Sequence, residues 1–205
     1  MGGTFDPIHR GHLRLAQAGL ARGLERVEMM PARRPPHKHR PDIAGPFHRF
    51  AMAALGAAGQ PGLGVSDFEI SRDTPSYTIE TVRHFTTLGH DVTLIMGSDS
   101  LADIESWRDY RELLDRARVM VYPRRPATVD DLAAHLPAWV RERMERQPSA
   151  IEVMNEPLDE VSSSEIRERI RIGHPLDGML PPAVEEYVLK QGLYVAGVAP
   201  GEAGD

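Results

Sequence analysis

Gly2-Gly3-Thr4-Phe5-Asp6-Pro7-Ile8-His9-Arg10-Gly11-His12, followed by Leu13, Ala16 and Leu20 at helical spacing, is the stretch on which the fold turns. Paired glycines permit positive φ and let backbone N–H groups approach an anion closely. Asp6-Pro7 marks a turn, and the periodic apolar residues after it open an amphipathic helix. His9 and His12 are three apart, so they share one face of the first helical turn. Exposed amides and the positive helix end make such a terminus an anion site, where two imidazoles can donate to phosphate oxygens. The plainer reading is a Gly turn into a helix with two solvated histidines. The string is neither GxxxxGK[ST] nor GxGxxG.

Outward from this stretch, short apolar runs at Val27–Met30, Leu63–Glu69, Val92–Met96, Val119–Tyr122 and Ile151–Met154 read as buried strands. Helical patterns lie between and after them, at His12–Arg22, Phe47–Ala58, Thr78–Leu88, Tyr110–Ala117, Val129–Glu145, Glu165–Ile172 and Ala183–Gln191. This alternation predicts an α/β fold, a parallel sheet covered by helices. In such folds a Gly-rich phosphate loop follows a buried strand. Here Gly2-Gly3 follows Met1 directly, so the first strand is missing or truncated, or the true start lies upstream. Residues 1–195 read as a single domain, with 126–150 a mostly helical insertion and 196–205 a Gly/Ala-rich flexible tail.

The chain has 205 residues, 41% hydrophobic and 26% charged, as a folded globular protein does. At that length a domain buries about 70% of its unfolded surface, so it needs no disulfide or metal to fold. Cysteine is absent, which removes disulfides, zinc-thiolate sites and thiol nucleophiles and fits a cytoplasmic protein. Twenty-four Lys and Arg against 30 Asp and Glu give a net charge of −6, an argument against nucleic-acid or membrane-surface binding. Two local basic clusters, Arg33-Arg34 with His37 to Arg40 and Arg167 with Arg169 and Arg171, suit a small anionic ligand better than a polymer. No apolar run approaches the about 18 residues needed to span a bilayer. A homo-oligomer is compatible with the sequence, which does not fix the oligomeric state.

Val161-Ser162-Ser163-Ser164-Glu165-Ile166-Arg167 reads first as a capping box, with Ser162 at the N-cap and Glu165 three residues on. A hydroxyl-lined helix start with Arg167 beside it is also a second anion site.

His9-Arg10-Gly11-His12 after a Gly-rich turn resembles the [HT]-x-G-H signature of the nucleotidyltransferase superfamily. Within it, GGTFDPIHRGH is similar to bacterial nicotinate-nucleotide adenylyltransferases. The resemblance implies a Rossmann-like domain that transfers AMP from ATP to nicotinate mononucleotide. Residues 161–167 resemble the family's ISS-x-x-IR motif, with Val161 replacing Ile. ATP contacts are thereby implied for Gly2, Gly3, Thr4, Phe5, His9, His12, Ser163, Ser164 and Arg167, of which His9, His12 and Arg167 are the implied catalytic residues.

Three further stretches match the nicotinate-nucleotide branch. Pro31-Ala32-Arg33-Arg34-Pro35-Pro36-His37-Lys38 is similar to PA-x-x-PPHK, which implies acceptor-phosphate contact by His37 or Lys38. Arg33 stands where the family has Gly, which leaves the turn geometry open. A metal site at His37-Lys38-His39 is disfavoured by the surrounding cations. Thr74-Pro75-Ser76-Tyr77-Thr78 resembles the family's PSYT turn before a helix, and Gly97-Ser98-Asp99-Ser100-Leu101 its G-x-D-x-L. A Gly and an Asp at the carboxyl end of a strand suit a ribose hydroxyl. Trp107 matches a Trp that stacks on the pyridine ring in the family, although a buried core role is the ordinary expectation for a Trp. A pyridinium cation favours an indole face. By the same mapping, backbone N–H groups of Thr78 and Arg108 hold the carboxylate, and an amide there would be mispaired.

The expected chemistry is direct in-line transfer without a covalent intermediate, with Mg²⁺ carried by ATP rather than by a carboxylate cluster. The nearest rival is another superfamily adenylyltransferase, of the phosphopantetheine type. A rival from another class is a nucleotide-binding module that does not turn over.

Overall fold

Val27–Pro31 forms strand β2, whose apolar side chains are buried as the sequence predicts. In the computed structural model, residues 1–34, 43–123, 136–154 and 161–195 are described. The chain divides into two compact units, Gly3–Ser76 with Asp159–Asp205, and Tyr77–Leu158 with Met1–Gly2.

β2 stands between β3 (Leu63–Val65) and the stub β1 (Gly2–Gly3), of which Gly3 belongs to the first unit. The expected first strand is present as this two-residue stub. β2 and β3 run parallel, pairing Val27 with Leu63 and Met29 with Val65. The strand expected over Leu63–Glu69 stops at Val65. There Ser66 Oγ accepts the Phe68 N–H at 3.2 Å, and the Ser71 N–H reaches the Asp67 carbonyl, so the backbone turns. The crossovers are α1 (Arg10–Ala21) and α2 (Pro46–Ala57), the latter opened by a proline at its first position, where a missing N–H costs nothing. α1 buries Gly11, Leu13, Ala16 and Gly19, a helical stripe.

Two later helices complete this unit, α7 (Ser163–Arg171) and α8 (Pro182–Lys190), numbered after the four of the other unit. Ser162 caps α7, its Oγ accepting the Glu165 N–H at 3.1 Å. The Glu165 carboxylate instead takes the Arg169 Nε–H, so only half of the expected capping box forms. α8 ends in a Schellman motif: Gly192 at φ +60° donates to the Leu189 carbonyl and Leu193 to that of Val188. Leu193 and Val188 are both buried, and Tyr194 follows directly.

The other unit holds α3 (Thr78–Thr87), β4 (Thr93–Gly97), α4 (Ser98–Ala102), a 3-10 turn (Ile104–Ser106), α5 (Tyr110–Arg116), β5 (Arg118–Tyr122), α6 (Ala138–Arg146) and β6 (Ile151–Val153). Its strands lie in the order β4-β5-β6, all parallel, with Thr93 opposite Arg118 and Val119 opposite Ile151. Ile79, Leu101, Ile104, Leu113, Val121 and Val140 form the heart of its core. The helix expected over Val129–Glu145 begins, among the described residues, only at Ala138. Pro137 is its N-cap, because a proline inside the helix would clash with the carbonyl four residues back. Residues 129–135 of that expectation, and the tail 196–205, lie outside the described residues.

Each unit thus carries one β-α-β-α-β arrangement of the doubly wound, Rossmann-like α/β fold. Among the described residues no helix is long and apolar enough to cross a membrane.

Candidate active site

The Gly-rich turn is built on contacts around Gly3. Its carbonyl accepts the Ala32 N–H at 3.0 Å, fastening β1 to the chain leaving β2. Phe5 sits at φ +51° and is buried, with its ring laid over Gly3. A Cβ at Gly3 would stand 2.9 Å from Phe5 Cζ, so the ring occupies the space that only glycine leaves. His9 is the extended N-cap residue of α1, and its buried ring lies 3.7 Å from that of His12, tilted by 31°. The two imidazoles therefore do share a face. The edge of Phe5 meets His12 at 5.1 Å. The His9 backbone N–H donates to His12 Nδ1 at 3.3 Å, which leaves the proton of a neutral His12 on Nε2.

Ser163 and Arg167 reach the same loop from α7. Ser163 Oγ donates to the Pro7 carbonyl at 3.0 Å. Arg167 Nη1 donates to the Asp6 carbonyl at 2.6 Å, and Nη2 to Ser164 Oγ at 3.2 Å. Two motifs from opposite ends of the chain are one structure here, joined through backbone carbonyls of the first.

Three residues of this region escaped the sequence reading as site residues. Asp6, read only as part of a turn, is 3% exposed, and its Oδ1 accepts the Ala44 N–H at 3.0 Å and the Tyr194 hydroxyl at 2.7 Å. Arg49, on α2, is 1% exposed and divides its guanidinium among three carbonyls: Ala44 at 2.9 Å, Thr4 at 2.9 Å and Arg33 at 3.2 Å. Burial raises the Asp6 carboxyl above the ordinary carboxylate range, against the pull of Tyr194, Ala44, Arg167 and Arg49. Burial likewise lowers Arg49, which the Asp6 charge opposes. The Tyr194 hydroxyl is pushed up by burial and by the Asp6 charge, so it stays a donor.

Arg33 is tied down through both its backbone and its side chain. Its N–H donates to Ser76 Oγ at 3.0 Å, and the Ser76 N–H returns to the Arg34 carbonyl. Its guanidinium donates to the Ile70 carbonyl at 2.7 Å, and Asp73 lies 3.7 Å away. His37 and Lys38 lie outside the described residues.

The remaining sequence-predicted residues belong to the other unit. Gly97 ends β4 and caps α4, which puts Asp99 in the first turn of α4 at the strand's carboxyl end. The Trp107 N–H closes the 3-10 turn on the Ile104 carbonyl at 2.9 Å, while its half-buried ring packs against the core. The Arg108 guanidinium lies 4.8 Å over the Tyr77 ring and 4.0 Å from Glu80 Oε1. That brings the Trp107-Arg108 segment beside the start of α3. Thr78 is the first residue of α3, where a backbone N–H has no intrahelical acceptor. Among the described residues no three or more His, Asp or Glu side chains converge as a metal-holding group.

A Gly-rich turn feeding a helix with paired histidines, clasped by a Ser/Arg helix start on a Rossmann-like scaffold, defines a nucleotidyltransferase. Residues 1–169 match the Cytidylyltransferase-like family. A relative from Roseiflexus sp. (strain RS-1) is 39% identical over 196 residues, covering 95% of this chain and 96% of its own. One from Serratia proteamaculans (strain 568) is 38% identical over 206 residues, covering 94% and 93%. Both carry the name "Probable nicotinate-nucleotide adenylyltransferase". The chain belongs to the nicotinate-nucleotide adenylyltransferase family. In fold it is similar to the Plasmodium falciparum nicotinic acid mononucleotide adenylyltransferase complexed with NaAD, at TM-score 0.69 and 20% identity over 94% of each chain. The same Plasmodium protein complexed with APC gives TM-score 0.68.

Proposed function

We propose that this chain transfers AMP from ATP to nicotinate mononucleotide, giving nicotinate adenine dinucleotide and pyrophosphate in NAD biosynthesis. An acceptor phosphate oxygen attacks the α-phosphorus in line and pyrophosphate leaves. The acceptor phosphate is already ionised near neutral pH, so no general base is required. His9 and His12 donate to the α-phosphate as negative charge develops, His12 through Nε2–H. Ser163, Ser164 and Arg167 hold the departing pyrophosphate. Gly2, Gly3, Thr4 and Phe5 shape the phosphate loop, and Gly97 and Asp99 meet the nucleotide's ribose. Mg²⁺ enters as part of the Mg·ATP substrate and neutralises phosphate charge. His37 and Lys38 meet the acceptor phosphate, while Trp107 and the N–H groups of Thr78 and Arg108 hold its ring and carboxylate. A cytoplasmic location fits a cysteine-free chain acting on dissolved nucleotides.

The observation that carries this reading is the clasp of Ser163 and Arg167 on the Pro7 and Asp6 carbonyls, which unites the two phosphate motifs. The test is pyrophosphate release from Mg·ATP with nicotinate mononucleotide against nicotinamide mononucleotide. Strong release with the acid and little with the amide supports the whole account. Equal release removes the carboxylate argument, and none with either rejects the reaction.

A further inference from the structure

The buried carboxylate of Asp6 lies directly behind Arg167. Asp6 Oδ2 is 3.5 Å from Arg167 Nη1, the nitrogen that also donates to the Asp6 carbonyl. The other oxygen, Oδ1, is fixed by two donors, the Ala44 N–H and the Tyr194 hydroxyl. The carboxylate therefore cannot rotate without breaking one of them, and Oδ2 stays aimed at the guanidinium. Tyr194 is itself locked: it follows the Schellman end of α8 and sits at φ +66° with its hydroxyl 3.9 Å from Met52 Sδ. A buried carboxylate holds its charge only while such donors are in place. Arg49 adds its charge to Asp6 from α2, but its guanidinium hydrogen-bonds the Ala44, Thr4 and Arg33 carbonyls.

We infer that Tyr194 is a positioning residue for adenylyl transfer: its hydroxyl orients the Asp6 carboxylate, and Asp6 sets the guanidinium of Arg167 against the phosphate loop. This rests on the reading of Arg167 as a pyrophosphate ligand. Tyr194 acts through that ligand alone and touches no substrate. Removing its hydroxyl leaves Asp6 Oδ1 with the Ala44 N–H alone, favours the protonated acid and weakens the charge partner of Arg167 Nη1. The guanidinium then keeps its charge and its bonds to the Asp6 carbonyl and Ser164 Oγ, and loses the carboxylate that steadies Nη1 from behind. The effect falls on turnover, because a leaving group is held most tightly as its charge develops.

A double-mutant cycle on Tyr194→Phe and Arg167→Ala tests this, with kcat, both KM values and the thermal midpoint measured for each variant. Tyr194→Phe lowers kcat about tenfold, the worth of one strong hydrogen bond, with KM for nicotinate mononucleotide unchanged. Arg167→Ala lowers kcat about a hundredfold. In the double variant the Tyr194 change has no further effect, since the residue it serves is gone. Loss of the same factor in both backgrounds makes Tyr194 a general structural residue and overturns the inference. So does kcat within about twofold of the parent in Tyr194→Phe, a change smaller than any ordered hydrogen bond supplies. Undiminished turnover in Arg167→Ala instead overturns the underlying reading of Arg167, and the inference with it. Should Tyr194→Phe fail to fold, Asp6→Asn replaces it in the same cycle. Its amide keeps the shape, turns an N–H toward Arg167, and brings the same non-additive loss of turnover.

Discussion

The His9 backbone N–H is bonded to Nδ1 of His12, so the first turn of α1 fixes which imidazole nitrogen presents a proton. In the proposed reaction a neutral His12 donates through Nε2–H to the α-phosphate as charge builds on phosphorus. His12→Ala lowers kcat by about a hundredfold to a thousandfold, the range for a lost charge-stabilising donor. Its stability falls by only about 1 kcal/mol, the worth of the lost bond to His9. Steady-state kinetics and a thermal melt separate the two effects, and near-normal turnover would sink the assignment.

Gly3→Ala tests the loop's packing. The added methyl meets the Phe5 ring at a distance that real structures do not tolerate, so either the ring or the backbone must move. The expected cost is about 1–3 kcal/mol, with a fall in turnover because Phe5 also abuts His12. A urea midpoint equal to the parent's would show that Phe5 can yield freely.

Arg49→Met removes the donor to three buried or half-buried carbonyls and one of the charges facing Asp6. Methionine fills much of the volume but bonds none of them. Destabilisation of about 3 kcal/mol or more follows from unpaired buried polar groups. Urea unfolding measures it, and a loss under about 1 kcal/mol would mean that solvent replaces the guanidinium.

Glu112 gives a pH test in the other unit. Hydrogen bonds from Arg83 and then Arg116 hold its carboxyl down from 4.5 to about 2. A carboxylate lowered on folding contributes stability above its unfolded value and loses it as pH falls through the folded value. The stability gap between the parent and Glu112→Gln is therefore full at neutral pH and shrinks progressively from about pH 4.5 towards pH 2. Urea midpoints at pH 7, 4 and 3 trace it. A gap that grows on acidification would reverse the sign and refute the ion pairing.

Much of this was legible from local pattern. Buried strands announce themselves by unbroken apolar runs, which is why β2 and β5 fall where the composition puts them. The stub β1 and the half-formed capping box differ from expectation only in detail. In the helix ending at Arg146, the polar periodicity runs on past Pro137, which the structure makes the N-cap. Asp6, Arg49 and Tyr194 are another matter. In Phe47-His48-Arg49-Phe50 an arginine reads as one more polar helix position, yet its Thr4 partner lies 45 residues away. Nothing local marks a guanidinium that will be buried, because its acceptors are backbone carbonyls, which every residue carries.

The hydroxyl of Tyr194 and the carboxylate of Asp6 are separated by 188 residues of chain. Synthesis delivers Asp6 188 residues ahead of the hydroxyl bonded to it. The bond joins two parts of the chain that come together only once both have been made. Closing so long a loop costs entropy that grows only slowly with its length, and contacts of such separation slow the folding of a domain as a whole.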